Sequence, residues 1–277
     1  MSPDRQSRAA PPTGRRFDPA PIPVAPPDAA RLLVRSLGLG LPPGSRTPCH
    51  AHPWGQLVLA TSGVVTVATD QGIWVVPAHR AVWIPGGVAH ELSATGAVAL
   101  RTLYLRDDLV GGLSATCSVV PVSALLRELA LEVLRRGHLS EDEPKDRRLA
   151  EVVVDQLALA REVPLDLPMP TDPRARAVAE RVRREPSSRA SLTDLARGSG
   201  AAPRTVERLF RAETGLSFGR WRQRARLFDA LERLANGEPV TSVALAVGYD
   251  SPSAFIAMFK RTLGTTPRRW VHGEREV

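Results

Sequence analysis

The sequence predicts an α+β protein of two domains. The N-terminal half is β-rich, built as a small barrel or sandwich and followed by a helical segment. The C-terminal half is all-α, with two helix-turn-helix units joined by a long helix. Three observations carry this prediction. Short β-branched runs punctuated by Gly and Pro fill residues 31–106, and helical periodicity replaces them from Val122 onward. The last hundred residues contain a degenerate repeat. Leu192, Leu195, Ala196 and Gly200 recur as Val240, Val243, Ala244 and Gly248, while Phe210, Arg211, Gly215 and Ser217 recur as Phe259, Lys260, Gly264 and Thr266.

Residues 1–28 are rich in Pro, Ala and Arg without periodicity, the composition of a disordered arm. The barrel is expected over 29–110, with strands at Gln56–Ala60, Val64–Ala68, Ile73–Val76, Ala81–Ile84 and Val98–Leu105. Residues 111–162 read as a helical dimerisation segment, the alternative being helices packed on the barrel edge of the same chain. One helix presents Leu125, Leu126, Leu129, Leu131 and Val133, and a second presents Leu149, Val152, Val153, Gln156, Leu157 and Leu159. A proline-spaced linker, 163–172, separates these from the second domain at 173–271.

That domain opens with a helix over Asp172–Glu185, Pro173 suiting its first turn. The first helix-turn-helix unit spans about 191–212. Ser191 caps its first helix with Asp194 in a capping-box position, Gly198-Ser199-Gly200 turns, and Pro203 starts the second helix. Phe218–Leu234 forms the connecting helix, with Trp221, Leu227, Leu231 and Leu234 buried. The second unit spans about 239–263, turning at Gly248-Tyr249-Asp250 and restarting at Ser251-Pro252. In this motif the second helix of each unit enters the major groove, so two units suit two successive groove segments of double-stranded DNA. Charge agrees with that partner. From Thr171 onward there are 20 Arg and Lys against 12 Asp and Glu, a net of +8 that equals the net charge of the whole chain. The basic half is thus appended to a neutral one. Lys260 is its only lysine, and arginine is the better bidentate partner for phosphate and guanine.

The stretch VTSVALAVGYDSPSAFIAMFKRTLGTTPRRW, with LTDLARGSGAAPRTVERLFRAETGLSFGRWR upstream, resembles the AraC/XylS family of transcription regulators. The resemblance implies that the first recognition helix presents Arg204, Glu207 and Arg208 to base edges, with Thr205 nearer the backbone and Arg211 on the same face. Arg204 and Arg208 suit guanine; Glu207 either accepts from cytosine N4 or orients a neighbouring arginine. The second recognition helix would present Ser253, Ala254 and Ala257, with Ser251, Lys260 and Arg261 toward phosphates. Alanine offers a base only apolar contact, so the first unit is expected to carry most discrimination and the second to anchor register.

In the N-terminal half, Gly44, His50-Ala51-His52, Gln56 and Gly63 match the spacing of the first metal-site motif of cupins, with Gln in the usual Glu position. Pro85-Gly86-Gly87-Val88-Ala89-His90 matches the core of the second motif, whose last ligand falls at Ala94 and whose first glycine falls at His79. This half therefore resembles the cupin-type sensory domain that precedes many AraC-family DNA-binding domains. Period-2 alternation on a strand would point His50, His52, Trp54 and Gln56 to one face. Two readings stay open. His50, His52, Trp54, Gln56 and His90, joined by Trp74 or Trp83 unless these are ordinary core residues, line a pocket for a small organic effector, or His50, His52, Gln56 and His90 hold one divalent metal such as Zn²⁺, Fe²⁺ or Ni²⁺. His79, His138 and His272 have no partner pattern, and Cys49 would face away from His50 on a strand.

No apolar run reaches the roughly 20 residues of a membrane span. The basic N-terminus lacks a secretory apolar stretch, and Cys49 and Cys117 make no disulfide scaffold or zinc finger, so a cytoplasmic location is the default. The expectation is a ligand-responsive, homodimeric transcription regulator that is not an enzyme, with RNA polymerase as a further partner if its output is activation. The alternative is a metal-dependent cupin enzyme fused to a DNA-binding domain, which the Gln56 and Ala94 departures undercut. A constitutive binder with a purely dimerising barrel would place apolar residues where the histidines stand.

Overall fold

A computed structural model describes residues 31–272 apart from His79, Glu162 and Pro164; the arm expected at residues 1–28 lies outside the described residues, as do His79 and the side chain of His272. Eight antiparallel strands form one folded-over sheet: β1 (Leu32–Leu41), β2 (Gly55–Ala68), β3 (Gly72–Pro77), β4 (Arg80–Ile84), β5 (Glu91–Leu105), β6 (Ser118–Pro121), β7 (His138–Ser140) and β8 (Asp166–Pro168). Their order is β6-β4-β2-β5-β1-β7, with β3 on β2 and β8 on β3.

The long strands β2 and β5 bend the sheet into a barrel. Gln56–Leu59 of β2 pair with β4, Val64–Ala68 pair with β3, and β5 runs alongside both halves. The register slips around Ser62, next to Gly63 at φ 70°, where a Cβ would stand 2.7 Å from the Ala97 carbonyl oxygen. A bulge and a glycine thus make the corner together. The five expected runs fall within β2 to β5. β1 was hidden by Gly38 and Gly40, which weaken a strand pattern.

Helices α1 (Ala124–Arg136) and α2 (Pro144–Leu159) pack on the barrel through one face each. α1 buries Leu126, Ala130 and Val133; α2 buries Ala150, Val153 and Leu157, with Asp146 held by Arg136 at 2.9 Å. Of the expected apolar stripes, Leu126, Val133, Val153 and Leu157 face the barrel, while Leu125, Leu131, Val152 and Leu159 point outward, Leu159 being 76% exposed.

The proline-spaced segment 163–172 is built into the sheet. Leu165, Leu167 and Met169 alternate at period 2 and are buried, while among the described residues β8 pairs with β3 alone. An edge strand tolerates the prolines that hid this alternation.

The second domain comprises α3 (Pro173–Arg184), α4 (Leu192–Ala196), α5 (Pro203–Thr214), α6 (Phe218–Ala235), α7 (Val240–Ala246), α8 (Pro252–Leu263) and α9 (Pro267–His272). Local chemistry sets the boundaries. Asp172 caps α3, Ser191 and Asp194 form a complete capping box on α4, and prolines open α5 and α8. Gly215 and Gly264 close α5 and α8 in the left-handed conformation. Trp221, Leu227, Leu231 and Leu234 on α6 are fully buried.

The two domains share one apolar core, continuous through Leu165, Leu167 and Met169. α6 adds polar ties to the barrel side: Trp221 Nε1 donates to Pro168 O (2.7 Å), Arg224 pairs with Asp166 (2.9 Å), and Thr66 Oγ1 donates to Glu232 Oε1 (3.0 Å). Burial holds the Glu232 carboxyl above the usual carboxylate range, with Arg183 and Arg46 pulling weakly the other way. A carboxyl raised in the folded state keeps its proton after the unfolded chain has lost it near pH 4.5, so its contribution to stability falls as pH rises from there. Glu232→Gln should therefore be at least as stable as the parent at neutral pH and show a shallower loss between acid and neutral pH. Melting temperatures of both proteins across that range test this; superimposable profiles would refute it.

Candidate nucleic-acid interface and histidine cluster

Helix α5 is divided cleanly along its length. Val206, Leu209 and Phe210 are buried, the Phe210 ring lying 5.3 Å from Phe218 and 5.2 Å from Trp221. Arg204, Arg208 and Arg211 stand exposed at i, i+4 and i+7, with Thr205 half-buried beside them. Glu207, on the same face, accepts from Arg211 Nε at 3.2 Å. In the free protein, then, Glu207 holds Arg211 while the other two guanidinium groups extend from the helix.

Helix α8 buries Phe255, Met258 and Phe259 and exposes Ser253, Ala254, Ala257, Lys260 and Arg261. Ser251 is its N-cap, the hydroxyl accepting from the Ala254 amide at 3.2 Å. Its oxygen is thus committed to the helix end, leaving only its proton for a phosphate.

Sequence reasoning missed the residues that hold the two units together. Arg226 on α6 donates to Pro186 O (2.9 Å) and Ser188 O (3.0 Å) and reaches the Gly248 carbonyl at 3.5 Å, and Arg222 donates to Ala190 O (2.7 Å). Arg189, ahead of α4, pairs with Asp250 in the turn of the second unit. Gly248 itself has φ 86°, and a Cβ there would stand 3.0 Å from Ser187 O and from Arg226. The recurrence of glycine at 200 and 248 was the only sign of that crowding in the sequence.

The barrel gathers the three expected histidines. His50 and His90 face each other in an isolated antiparallel bridge (N···O 3.0 and 2.8 Å), and His52 joins them. Ring centroids are 4.5 Å apart for His50–His90, 5.2 Å for His52–His90 and 5.9 Å for His50–His52, while Tyr104 lies edge-on to His52 at 5.2 Å. The Nδ1 atoms face backbone carbonyls: His50 to Pro48 (2.9 Å), His52 to Trp54 (2.8 Å) and His90 to Val88 (2.8 Å). His52 Nε2 lies 3.1 Å from Gln56 Oε1, whose amide nitrogen donates to Thr102 Oγ1 at 3.0 Å. His90 Nε2 is buried and has no hydrogen-bond partner. Burial pushes His90 down to about 4 and lowers His52 as well, so both rings are neutral at physiological pH.

One ligand nitrogen from each of the three imidazoles lies within 4.8 Å of the others, an arrangement that fits a divalent metal. Cys49 is outside this group. The other expected pocket residues are placed differently. Residues 51–54 precede β2 and are not in strand geometry, so period-2 alternation fails there; the Trp54 carbonyl meets His52 Nδ1. Trp74 and Trp83 are core residues, Trp83 donating to Ser114 O at 2.9 Å. Ala94 is buried in β5 opposite Val65.

Comparison with known proteins agrees with this division of labour. Residues 41–158 match the AraC-like ligand binding domain, and residues 195–273 match a helix-turn-helix domain. The HTH-type transcriptional regulator NimR of Escherichia coli (strain K12) is 39% identical over 225 residues, 81% of this chain and 82% of NimR. The HTH-type transcriptional regulator RipA of Corynebacterium glutamicum is 35% identical over 107 residues, covering 39% of this chain and 32% of RipA. A crystal structure of fatty-acid-bound ToxT from Vibrio cholerae aligns over 87% of this chain and 95% of ToxT, at 11% identity and a TM-score of 0.37. The chain belongs to the AraC/XylS family of transcription regulators. It is a DNA-binding regulator with an N-terminal ligand-binding domain, and no helix among its described residues is long and apolar enough to cross a membrane.

The exposed stripe on α5 gives a direct expectation. Arg208→Ala should weaken binding to the specific site by about 1–3 kcal/mol and relax preference at one base position. Lys260→Ala should instead weaken specific and random duplexes alike and flatten the salt dependence by about one charge. Electrophoretic titrations at several salt concentrations separate the two. Equal losses on both duplexes for Arg208→Ala would overturn its role as a base reader.

Proposed function

We propose that this regulator binds DNA as a homodimer and that α5 reads sequence while α8 fixes register. Arg204 and Arg208 contact guanine edges; Thr205, Ser251, Ser253, Lys260 and Arg261 engage the backbone; Ala254 and Ala257 offer only apolar contact. The 18-residue α6 is about 27 Å long at 1.5 Å per residue, of the same order as the ~34 Å turn that separates successive major-groove segments. A rigid connector of that length suits two readings on one face of the duplex.

The effector enters the barrel at the mouth formed by His50, His52 and His90. The observation that carries the coupling is the pair of ties from α6 to the barrel, Glu232 to Thr66 and Trp221 to Pro168, reinforced by the shared core. A change in barrel packing therefore acts on the helix that orients both recognition helices.

Dimerisation falls to the outward faces of α1 and α2. Leu125, Leu131, Val152 and Leu159 are exposed, and beside Leu159 an apolar groove runs along Pro121, Val122 and Ala160. A charge at its centre tests the assignment. Leu159→Glu should shift the sedimentation mass from dimer toward monomer and weaken binding to a two-half-site operator at least tenfold, with melting temperature and far-ultraviolet circular dichroism unchanged because the side chain is solvent-facing. An unchanged mass would remove this face as the interface.

A further inference from the structure

The outer face of the sheet carries a cavity of its own, on the far side of β2 and β4 from the Gln56 side chain. Trp83 pairs with Leu57 across these strands, and Gln56, the neighbour of Leu57, points the other way into the barrel. Trp83 therefore lies on the face that α1 and α2 cover, in one apolar cluster with Leu57 and Leu157. Beside it is a half-enclosed cavity of about 120 Å³. Trp83, Ser118 and Val120 make the floor, since Trp83 is opposite Ser118 in the β4–β6 register and Val120 is two residues further on. The end of α2, through Leu157 and Ala160, is one wall; Leu113 and Ser114, in the loop before β6, are the other.

The polar groups of this lining are unevenly satisfied. Trp83 spends its N–H on the Ser114 carbonyl at 2.9 Å and offers the cavity only carbon. The Ser114 and Thr116 hydroxyls meet each other at 3.1 Å. Ser118 differs from both. It is only 7% exposed, yet its hydroxyl has no hydrogen-bond partner among the described residues and opens on the cavity. No charged side chain lines the cavity among the described residues. Water fills such a space poorly, because an ordered water needs two to four polar partners and most of this wall is apolar. An apolar cavity of roughly 150 Å³ takes benzene, so about 120 Å³ with an open side suits a single ring. One hydrogen-bonding group on that ring would satisfy Ser118, whereas a charge would be desolvated without a counter-ion.

We propose that this cavity binds a small uncharged amphiphile, a single ring bearing one hydroxyl, and that its occupancy acts on the end of α2. The site is separate from the effector mouth assigned to the barrel; its consequence for assembly rests on the reading of α1 and α2 as the dimer face. Placement supplies the coupling. Ala160 borders both this cavity and the apolar groove beside Leu159, so the two share a wall. Three residues later the Val163 amide donates to the carbonyl of Val119, which lies between Ser118 and Val120 of the floor, and the chain runs on into β8 and α3. A ring held against residues 157–160 therefore presses on Leu159 on one side and on the segment leading to the DNA-binding domain on the other.

The test titrates the full chain with phenol, benzene and benzoate, followed by ligand-observed NMR and by melting temperature. Phenol is expected to bind once per chain with a Kd of about 1 mM or tighter, within reach of a ligand this small. Benzene should bind at least fivefold more weakly, and benzoate not at all. Ser118→Ala should bring phenol down to the level of benzene while leaving benzene unchanged. Ala158→Leu, at a solvent-facing helix position on the cavity rim, should fill the space and abolish binding of both without lowering the melting temperature. His52→Ala should bind phenol as the parent does. Absence of saturable phenol binding, binding unchanged in Ala158→Leu, or loss in His52→Ala would overturn the site. Sedimentation and operator titrations with and without saturating phenol then read the consequence. A shift of threefold or more in dimer dissociation or operator affinity is expected, and Ala158→Leu should lose it. Phenol bound with neither shift removes the action on α2. A chain that is monomeric with and without phenol, yet binds it through Ser118, discards the dimer face and keeps the site.

Discussion

Helix α6 is the element on which the rest of the molecule is assembled, and Trp221 is where the load concentrates. The indole is fully buried against Phe210 of α5, which in turn meets Phe218, while its N–H is satisfied by the Pro168 carbonyl of the segment that arrives from the barrel. Truncating such a side chain typically costs roughly 3–5 kcal/mol, comparable to a sizeable part of a domain's net stability. Along the same helix Arg222 and Arg226 fasten the loop ahead of α4, and Arg226 and Tyr249 meet near the turn of the second unit. Glu232 docks on β2. Barrel, connecting strand and both helix-turn-helix units therefore share one rigid reference.

That arrangement explains why the segment before α3 carries β8 on the sheet edge rather than running as a free tether. A flexible linker would let the domains sample many orientations, each diluting whatever the barrel does. Here the odd-numbered apolar residues Leu165, Leu167 and Met169 bury against both domains while Asp166 faces Arg224. The alternation was present in the sequence all along, but proline at every second or fourth position speaks for extended, unpaired backbone unless the strand lies at a sheet edge. Only tertiary context supplies that edge.

The same contrast separates what the sequence disclosed from what it withheld at the functional sites. The helix-turn-helix units were legible to within a residue or two because caps, turn glycines and helix-opening prolines are local chemistry: Ser191 with Asp194, Pro203, Gly215, Pro252 and Gly264 each act within one turn of their own position. The histidine cluster was legible in membership, since motif spacing brought His50, His52, Gln56 and His90 forward, but not in geometry. Period-2 reasoning assumed a strand where the chain turns, and it missed Tyr104 and Thr102, which reach the site from β5. The stripes of α1 and α2 were legible as apolar, but not which of their residues face the barrel: a leucine and an alanine are both apolar, and how closely the helix approaches decides between them.

The charge asymmetry acquires its meaning from this rigidity. A basic half joined loosely to a neutral one would bind DNA wherever phosphate density is high, with little regard to the state of its partner domain. With α6 locked to the barrel, the arginine stripe of α5 and the Lys260–Arg261 end of α8 are held in one fixed relation, so phosphate contacts made by one helix constrain where the other can reach. On the proposed reading, nonspecific attraction then becomes a positioning term, and specificity is left to the few guanidinium groups of α5 that meet base edges. Glu207 fits the same proposal: by holding Arg211 in the free protein it would reduce the number of cations competing for phosphate on the face assigned to reading sequence. Discrimination in such a protein is set less by how many charges it carries than by how few of them are free to move.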